Sequence, residues 1–121
     1  MLLDSNIIIY SLDSKYSDIL KTFVSKNLYV SAISYLEVLG FKNISESDKS
    51  DLESILTKMI LLEINFPIIQ KATSLRQIHK MSLGDSLIAS TALTHNLPLV
   101  TANVDDFKWI KELELINPLI K

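Results

Sequence analysis

Cysteine is absent from this chain of 121 residues, which excludes disulfides, thiol catalysis and any zinc site built on thiolates. Histidine occurs only at His79 and His95, too few for a histidine-rich metal site. Glycine occurs twice and proline three times, leaving no material for a flexible linker, a collagen-like repeat or a loop-rich scaffold. Positive charge is not in excess: 12 basic residues stand against 14 acidic ones, for a net charge of −2. No basic surface for duplex DNA is therefore advertised, and any nucleic-acid contact needs a local patch or a metal. Residues 1–14 hold neither Lys nor Arg, so the basic start of a secretory signal is not expected. The longest run without a charged side chain, residues 86–104, contains Ser86, Ser90, Thr91, Thr94, His95, Asn96, Thr101 and Asn103. That polar load rules it out as a membrane span. A soluble protein is expected, and the lack of cysteine is compatible with a reducing cytoplasm.

What the chain has in quantity is aliphatic bulk. Hydrophobic residues make up 48%, enough for one core and too much for a disordered chain. Short apolar runs at residues 1–3, 28–31, 60–64, 97–101 and 113–116 read as strands. Between them lie segments of helical period. Leu52, Ile55, Leu56 and Met59 form one stripe, and Ile68, Ala72, Leu75 and Ile78 form a second after Pro67. Leu87, Ile88, Thr91, Ala92 and His95 form a third, which stops at Asn96 before Pro98. Strands alternating with helices of this length imply crossover connections and a mainly parallel sheet covered on both faces. Residues 42–50, polar and charged, are the candidate surface insertion, and there is no internal repeat. The expectation is one α/β domain over residues 1–121.

Ligands of an open parallel sheet bind beyond the carboxyl ends of its strands, and acidic residues fall there repeatedly. Asp4 follows the first apolar run, Glu37 follows the second, Asp85 opens a helix, and Asn103, Asp105 and Asp106 follow the fourth run. Helix capping accounts for each acid singly. Ser34-x-x-Glu37 and Ser82-x-x-Asp85 match the capping box, Asp4 suits an N-cap for a helix from Asn6, and Asp105-Asp106 suits a cap for a helix through Trp109. Capping does not explain why these strand ends carry acids with no Lys or Arg beside them. Were the sheet to bring two carboxylates ~4 Å apart, they would repel by about 4 kcal/mol at an effective dielectric near 20. A cation relieves that, and an all-oxygen donor set selects a hard one, Mg²⁺ or Mn²⁺.

Four segments, in order, resemble a known family. They are Leu2-Leu3-Asp4-Ser5-Asn6-Ile7-Ile8-Ile9-Tyr10, Ser31-x-x-Ser34-x-x-Glu37-Val38-Leu39-Gly40, Asp85-Ser86-Leu87-Ile88-Ala89-Ser90-Thr91-Ala92 and Leu99-Val100-Thr101-Ala102-Asn103-Val104-Asp105-Asp106-Phe107. Together they are similar to the motifs of the PIN-domain ribonucleases, and within them of the VapC-like toxins of type II toxin–antitoxin pairs. The resemblance implies a PIN-like three-layer α/β/α sandwich and a metal-dependent endoribonuclease. By position it makes Asp4, Glu37 and Asp85 the acids around Mg²⁺ or Mn²⁺, with Ser5 and Asn6 orienting the first carboxylate and a bound water. Where many relatives carry an acid after the last motif's Thr, this chain has Asn103. Asp106 is then the preferred fourth acid, ahead of Asp105, and one-metal and two-metal chemistry both stay open. The resemblance further implies an RNA substrate hydrolysed by metal-activated water, a cognate antitoxin protein, a homodimer and a cytoplasmic location without membrane attachment.

Other readings compete. A receiver-like signalling domain wants an acidic pair after the first strand, and a haloacid-dehalogenase-type phosphatase wants Asp-x-Asp; Asp4-Ser5-Asn6 supplies neither. A catalytically inactive PIN-fold binding module is the rival, with Asn103 as its argument. His95 reads as compensating a helix C-terminus and His79 as an exposed helix residue, while Phe107 and Trp109 read as packing rather than base stacking. Lys15, Lys42, Lys49, Arg76, Lys80 and Lys108 are candidates for a substrate rim. The apolar residues 19–24, with Tyr35, Leu36, Leu39 and Phe41, suit a dimer face or antitoxin groove, although core packing absorbs such residues more often.

Overall fold

Leu2 and Leu3 are neighbours in sequence, both fully buried, and belong to opposite halves of the core. Leu99 and Val100 divide in the same way. Side chains of a strand alternate between faces, so an apolar pair buried on both sides needs helices on both sides. The computed structural model describes residues 1–15, 18, 19, 21 and 27–119. Its elements run β1 (Leu2–Leu3), α1 (Ser5–Tyr10), β2 (Tyr29–Ser31), α2 (Ala32–Leu39), α3 (Glu46–Thr57), β3 (Ile60–Leu62), α4 (Phe66–Ile78), α5 (Leu83–His95), β4 (Leu99–Val100), α6 (Val104–Phe107) and β5 (Leu115–Ile116). The five strands lie in the order β3-β2-β1-β4-β5, and every pairing is parallel. The expected α/β/α sandwich with a parallel sheet is thus the observed architecture.

One half-core gathers Leu3 and Val100 with Ile7 and Ile8 of α1, Val38 of α2, and Leu52 and Leu56 of α3. The other gathers Leu2 and Leu99 with Leu75 of α4, Ile88, Ala89 and Ala92 of α5, and Phe107. The five expected strands are all present, but shorter than their apolar runs. Ile64 and Thr101, for instance, lie beyond the ladders. The stripe through Ile68, Ala72 and Leu75 is buried, whereas Ile78 ends α4 at 74% exposed. His95 is likewise exposed, at the end of α5 rather than on its buried face. Residues 42–50 are not all loop: Ser45 accepts a hydrogen bond from the Asp48 N–H at 3.0 Å, and α3 starts at Glu46. Capping chemistry there outweighs the polar composition that suggested an insertion.

Core packing absorbs Val38 of α2 but not every apolar side chain in and just after that helix. Tyr35, Leu36 and Phe41 are 47%, 64% and 45% exposed, while Leu39 is half-buried. Tyr35 and Leu36 lie on the part of α2 that its contacts with α1, α3 and α5 leave uncovered. Most of the apolar segment 19–24 lies outside the described residues.

The end of α5 positions β4. Asn96 adopts the left-handed conformation, φ 58° and ψ 43°, and its N–H returns to the last helical turn. The Leu97 N–H donates to the Ala92 carbonyl at 2.9 Å, which turns the chain into β4. Asparagine tolerates this geometry and β-branched residues do not. Asn96→Gly should leave stability equal or higher, and Asn96→Val should lower it by about 1–2 kcal/mol in urea denaturation.

Candidate functional site

The chain steps from β1 to β2 on one side and has β4 on the other. The carboxyl ends of β1 and β4 therefore flank the point where the connections diverge, the usual crevice of a parallel sheet. Asp4 is the first residue past β1 and is 4% exposed. Its N–H donates to the Val100 carbonyl at 2.9 Å, extending the ladder by one step. Its side chain is held at both oxygens. Oδ1 accepts from the Ser5 N–H at 2.7 Å, and Oδ2 accepts from the Thr101 hydroxyl at 2.7 Å. Asp4 is thus an N-cap, as its position suggests, but of a helix that begins at Ser5 rather than Asn6. Its second bond crosses the sheet to a residue 97 positions away.

Ser5 reaches a different neighbour. Its Oγ lies 2.9 Å from Ser34 Oγ and 2.8 Å from Glu37 Oε1. A hydroxyl has one proton, and an ionised carboxylate has none to give. Ser5 therefore donates to Glu37 and accepts from Ser34. The capping box expected at Ser34 and Glu37 is not formed. The cap of α2 is Ser31, which accepts from the Ile33 N–H at 3.3 Å, and Ser34 is a fully buried residue inside the helix. An apolar-flanked serine three residues before a glutamate reads the same in either role; only the approach of α1 to α2 separates them.

At Asp85 the cap half of the expected box is formed: Ser82 caps α5 and accepts from the Asp85 N–H at 3.0 Å. Capping does not exhaust its surroundings. Burial pushes the Asp85 carboxyl above its ordinary range, and the charges of Asp4, Asp106 and Glu37 push it further, against a hydrogen bond with Ser82. Asp4 is raised as well, chiefly by burial and also by Glu37 and Asp106, although Thr101 and the Ser5 N–H favour its charged form. Four acids from four separate segments of the chain thus share one electrostatic field. Asp106 belongs to it, whereas the Asp105 carboxylate is paired with Lys108 at 3.0 Å on the surface. Asn103 starts α6 without a side-chain capping bond, and its N–H donates to Thr101 Oγ1 at 3.0 Å. Asn6 follows Ser5 in α1 and is half-buried.

The donor chemistry fits a hard divalent cation: carboxylates only, with the charges acting on Asp4 and Asp85 coming from other carboxylates. Among the described residues, no three such side chains stand together as a ready-made ion site. Glu37 is drawn instead to Ser5, and like charges without a counter-ion keep apart. Thr101 and Ser34 have site roles that the sequence did not disclose. A threonine directly after an apolar strand, at the level of an acid ending another strand, is the signal that would have found the first.

The basic and aromatic candidates separate. Arg76 and Lys80 line a cavity of about 610 Å³ along α4 and α5, which also reaches Leu83 and Ser86 on either side of Asp85. Lys108 is engaged with Asp105. Phe107 is fully buried, and Trp109 packs on the same half-core and stacks on His79, ring centroids 4.6 Å apart. Both aromatics serve packing, as expected. No described helix is long and apolar enough to cross a membrane.

A family model for the PIN domain matches residues 1–113. The chain belongs to the PIN domain family. A 41-residue stretch is 51% identical to Ribonuclease VapC of Rickettsia bellii (strain RML369-C), covering 34% of this chain and 31% of that protein. Among solved structures, a toxin–antitoxin complex from Klebsiella pneumoniae contains a chain that is 28% identical with a TM-score of 0.78, covering 97% of this chain and 96% of its own. A chain of VapBC2 from Rickettsia felis, crystallised with a DNA fragment from their promoter, is 25% identical with a TM-score of 0.81 and 96% coverage of both. The resemblance read from the four motifs is borne out at the level of family and fold.

The raised carboxyls carry a stability consequence. A folded state that holds protons the unfolded chain releases is most stable, as far as these groups act, below the ordinary value of 3.8. It loses that advantage as pH rises through the raised folded-state values. Without divalent metal, Asp85→Asn should therefore melt above the wild type at pH 7, and the gap should close as the pH is lowered towards 4. A variant that melts lower at pH 7 would show that the helix-start role of Asp85 outweighs its repulsion.

Proposed function

We propose that this protein is a metal-dependent endoribonuclease, the toxin of a type II toxin–antitoxin pair, built as one PIN-like unit across residues 1–121. The observation that carries the reading is the Thr101–Asp4 hydrogen bond at the divergence of the sheet, which holds a buried carboxylate within the field of Asp85, Glu37 and Asp106. Acids placed for capping alone have no reason to converge. Asp4, Asp85 and Glu37 are the residues we assign to Mg²⁺ or Mn²⁺, with Asp106 as the fourth acid. A divalent cation bound there supplies positive charge at the scissile phosphate and lowers the pKa of a water.

The chain's own residues supply orientation and a proton acceptor. Asp4, tied at both oxygens, cannot rotate away from the crevice, so its remaining lone pairs keep one direction. Glu37 Oε1 accepts a hydrogen bond from the Ser5 hydroxyl, which leaves Oε2 as the oxygen to accept a hydrogen bond or proton from the attacking water. Asn103 contributes its N–H to Thr101, and thereby to the orientation of Asp4. Arg76 and Lys80, on the cavity along α4 and α5, are the cations we assign to the RNA backbone. In the same reading the exposed Tyr35, Leu36 and Phe41 meet a protein partner, either the antitoxin or a second copy. A cytoplasmic location follows from an RNA substrate.

Asp4→Asn and Asp85→Asn should each abolish RNA cleavage and growth inhibition. Saturating Mn²⁺ at about 100 times its dissociation constant should stabilise the wild type by roughly 2.7 kcal/mol and either variant far less. Cleavage assays and thermal melts check both. Full activity in either variant, or no response of the wild type to Mn²⁺, would make the inactive binding module the better reading.

A further inference from the structure

Gly84 is the second residue of α5, immediately before Asp85. A Cβ built on it would lie 2.6 Å from Glu37 Oε2 and 3.2 Å from Glu37 Cδ. The Glu37 carboxylate therefore occupies the volume that any side chain at position 84 would need. The backbone gives no other reason for glycine here, since neither glycine has a positive φ. Helices also disfavour glycine relative to alanine. The chain's other glycine makes the contrast. At Gly40 the obstructing atom is the Leu36 carbonyl oxygen, a backbone atom that cannot swing aside. At Gly84 it is the far end of a flexible side chain.

We infer that Gly84 is a positioning residue. Its missing side chain lets the Glu37 carboxylate of α2 lie against the first turn of α5, next to Asp85, while Ser5 holds the other oxygen. This rests on the nuclease reading and assigns Gly84 a role within it. Two constraints act on Glu37 from opposite elements. Ser5, which accepts from the buried Ser34, donates to Oε1, and the gap at Gly84 receives Oε2. Filling the gap displaces the oxygen left for the attacking water and leaves the fold untouched. Misplacement of a reacting group by about 1 Å costs on the order of 10²-fold in rate.

The test compares wild type, Gly84→Ala, Glu37→Gln and the double variant in RNA cleavage with Mn²⁺, beside thermal melts without metal. Gly84→Ala should melt at or above the wild-type temperature, because alanine suits the helix and the obstructing atoms can move. Its cleavage should fall about 10²-fold. Adding Glu37→Gln to Gly84→Ala should cost little further, because the carboxylate is already displaced. Undiminished cleavage by Gly84→Ala would overturn the inference, as would losses that multiply in the double variant. A lower melting temperature for Gly84→Ala would also overturn it, since the obstruction would then lie in the fold itself. These failures differ from failure of the nuclease reading, in which Asp4→Asn and Glu37→Gln would themselves cleave like the wild type.

Discussion

A carboxylate with 4% of its surface exposed is costly unless its charge is answered, and the rest of this site is arranged around Asp4. Two hydrogen bonds answer it in part, one from the next backbone amide and one from Thr101 across the sheet. Neither carries a full charge. Asp4 consequently stays above the ordinary carboxylate range, and Glu37 and Asp106 add to the strain from outside. The parallel pairing of β1 with β4, with Leu2 beside Leu99 and Leu3 beside Val100, places Asp4 and Thr101 at the same level. A register slip of one residue would send Asp4 to the opposite face and leave both groups unpaired.

Serine at several positions links the helices to that centre. Ser34 inside α2 supports Ser5 in α1, and Ser5 in turn holds Glu37, which lies just under one turn further along the same face of α2. Ser82 caps α5 and bonds to Asp85. Each small hydroxyl lets backbone or carboxylate approach closely while still satisfying a polar atom. The absence of a side chain at Gly84 is the limiting case of the same economy of bulk. Placed on helix starts and strand ends, these residues hold the acids on rigid elements rather than on loops.

Repulsion among the acids and affinity for a hard cation are two aspects of one arrangement. Asp4 and Asp85 each serve a helix start, yet burial and the neighbouring carboxylates raise both, and that repulsion is what a divalent ion would relieve. Asp105, one residue from Asp106, shows the alternative fate, since its pairing with Lys108 on the surface leaves it outside the shared field.

Local chemistry made much of this legible in the sequence. Short apolar runs marked the strands, Pro67 and Asn96 marked a helix start and a helix end, and the order of four motifs marked the family. Those signals are local because they depend on φ/ψ preference, capping and periodicity. Tertiary structure decided what depends on the approach of distant segments. It made Thr101 a partner of Asp4, moved Ser34 from the start of α2 to its buried interior face, left Tyr35, Leu36 and Phe41 in solvent, and separated Asp106 from Asp105. Sequence by itself determined which residues can bear charge at strand ends; only the packed sheet, by bringing β1 beside β4 and α2 against α5, decided which of those charges meet.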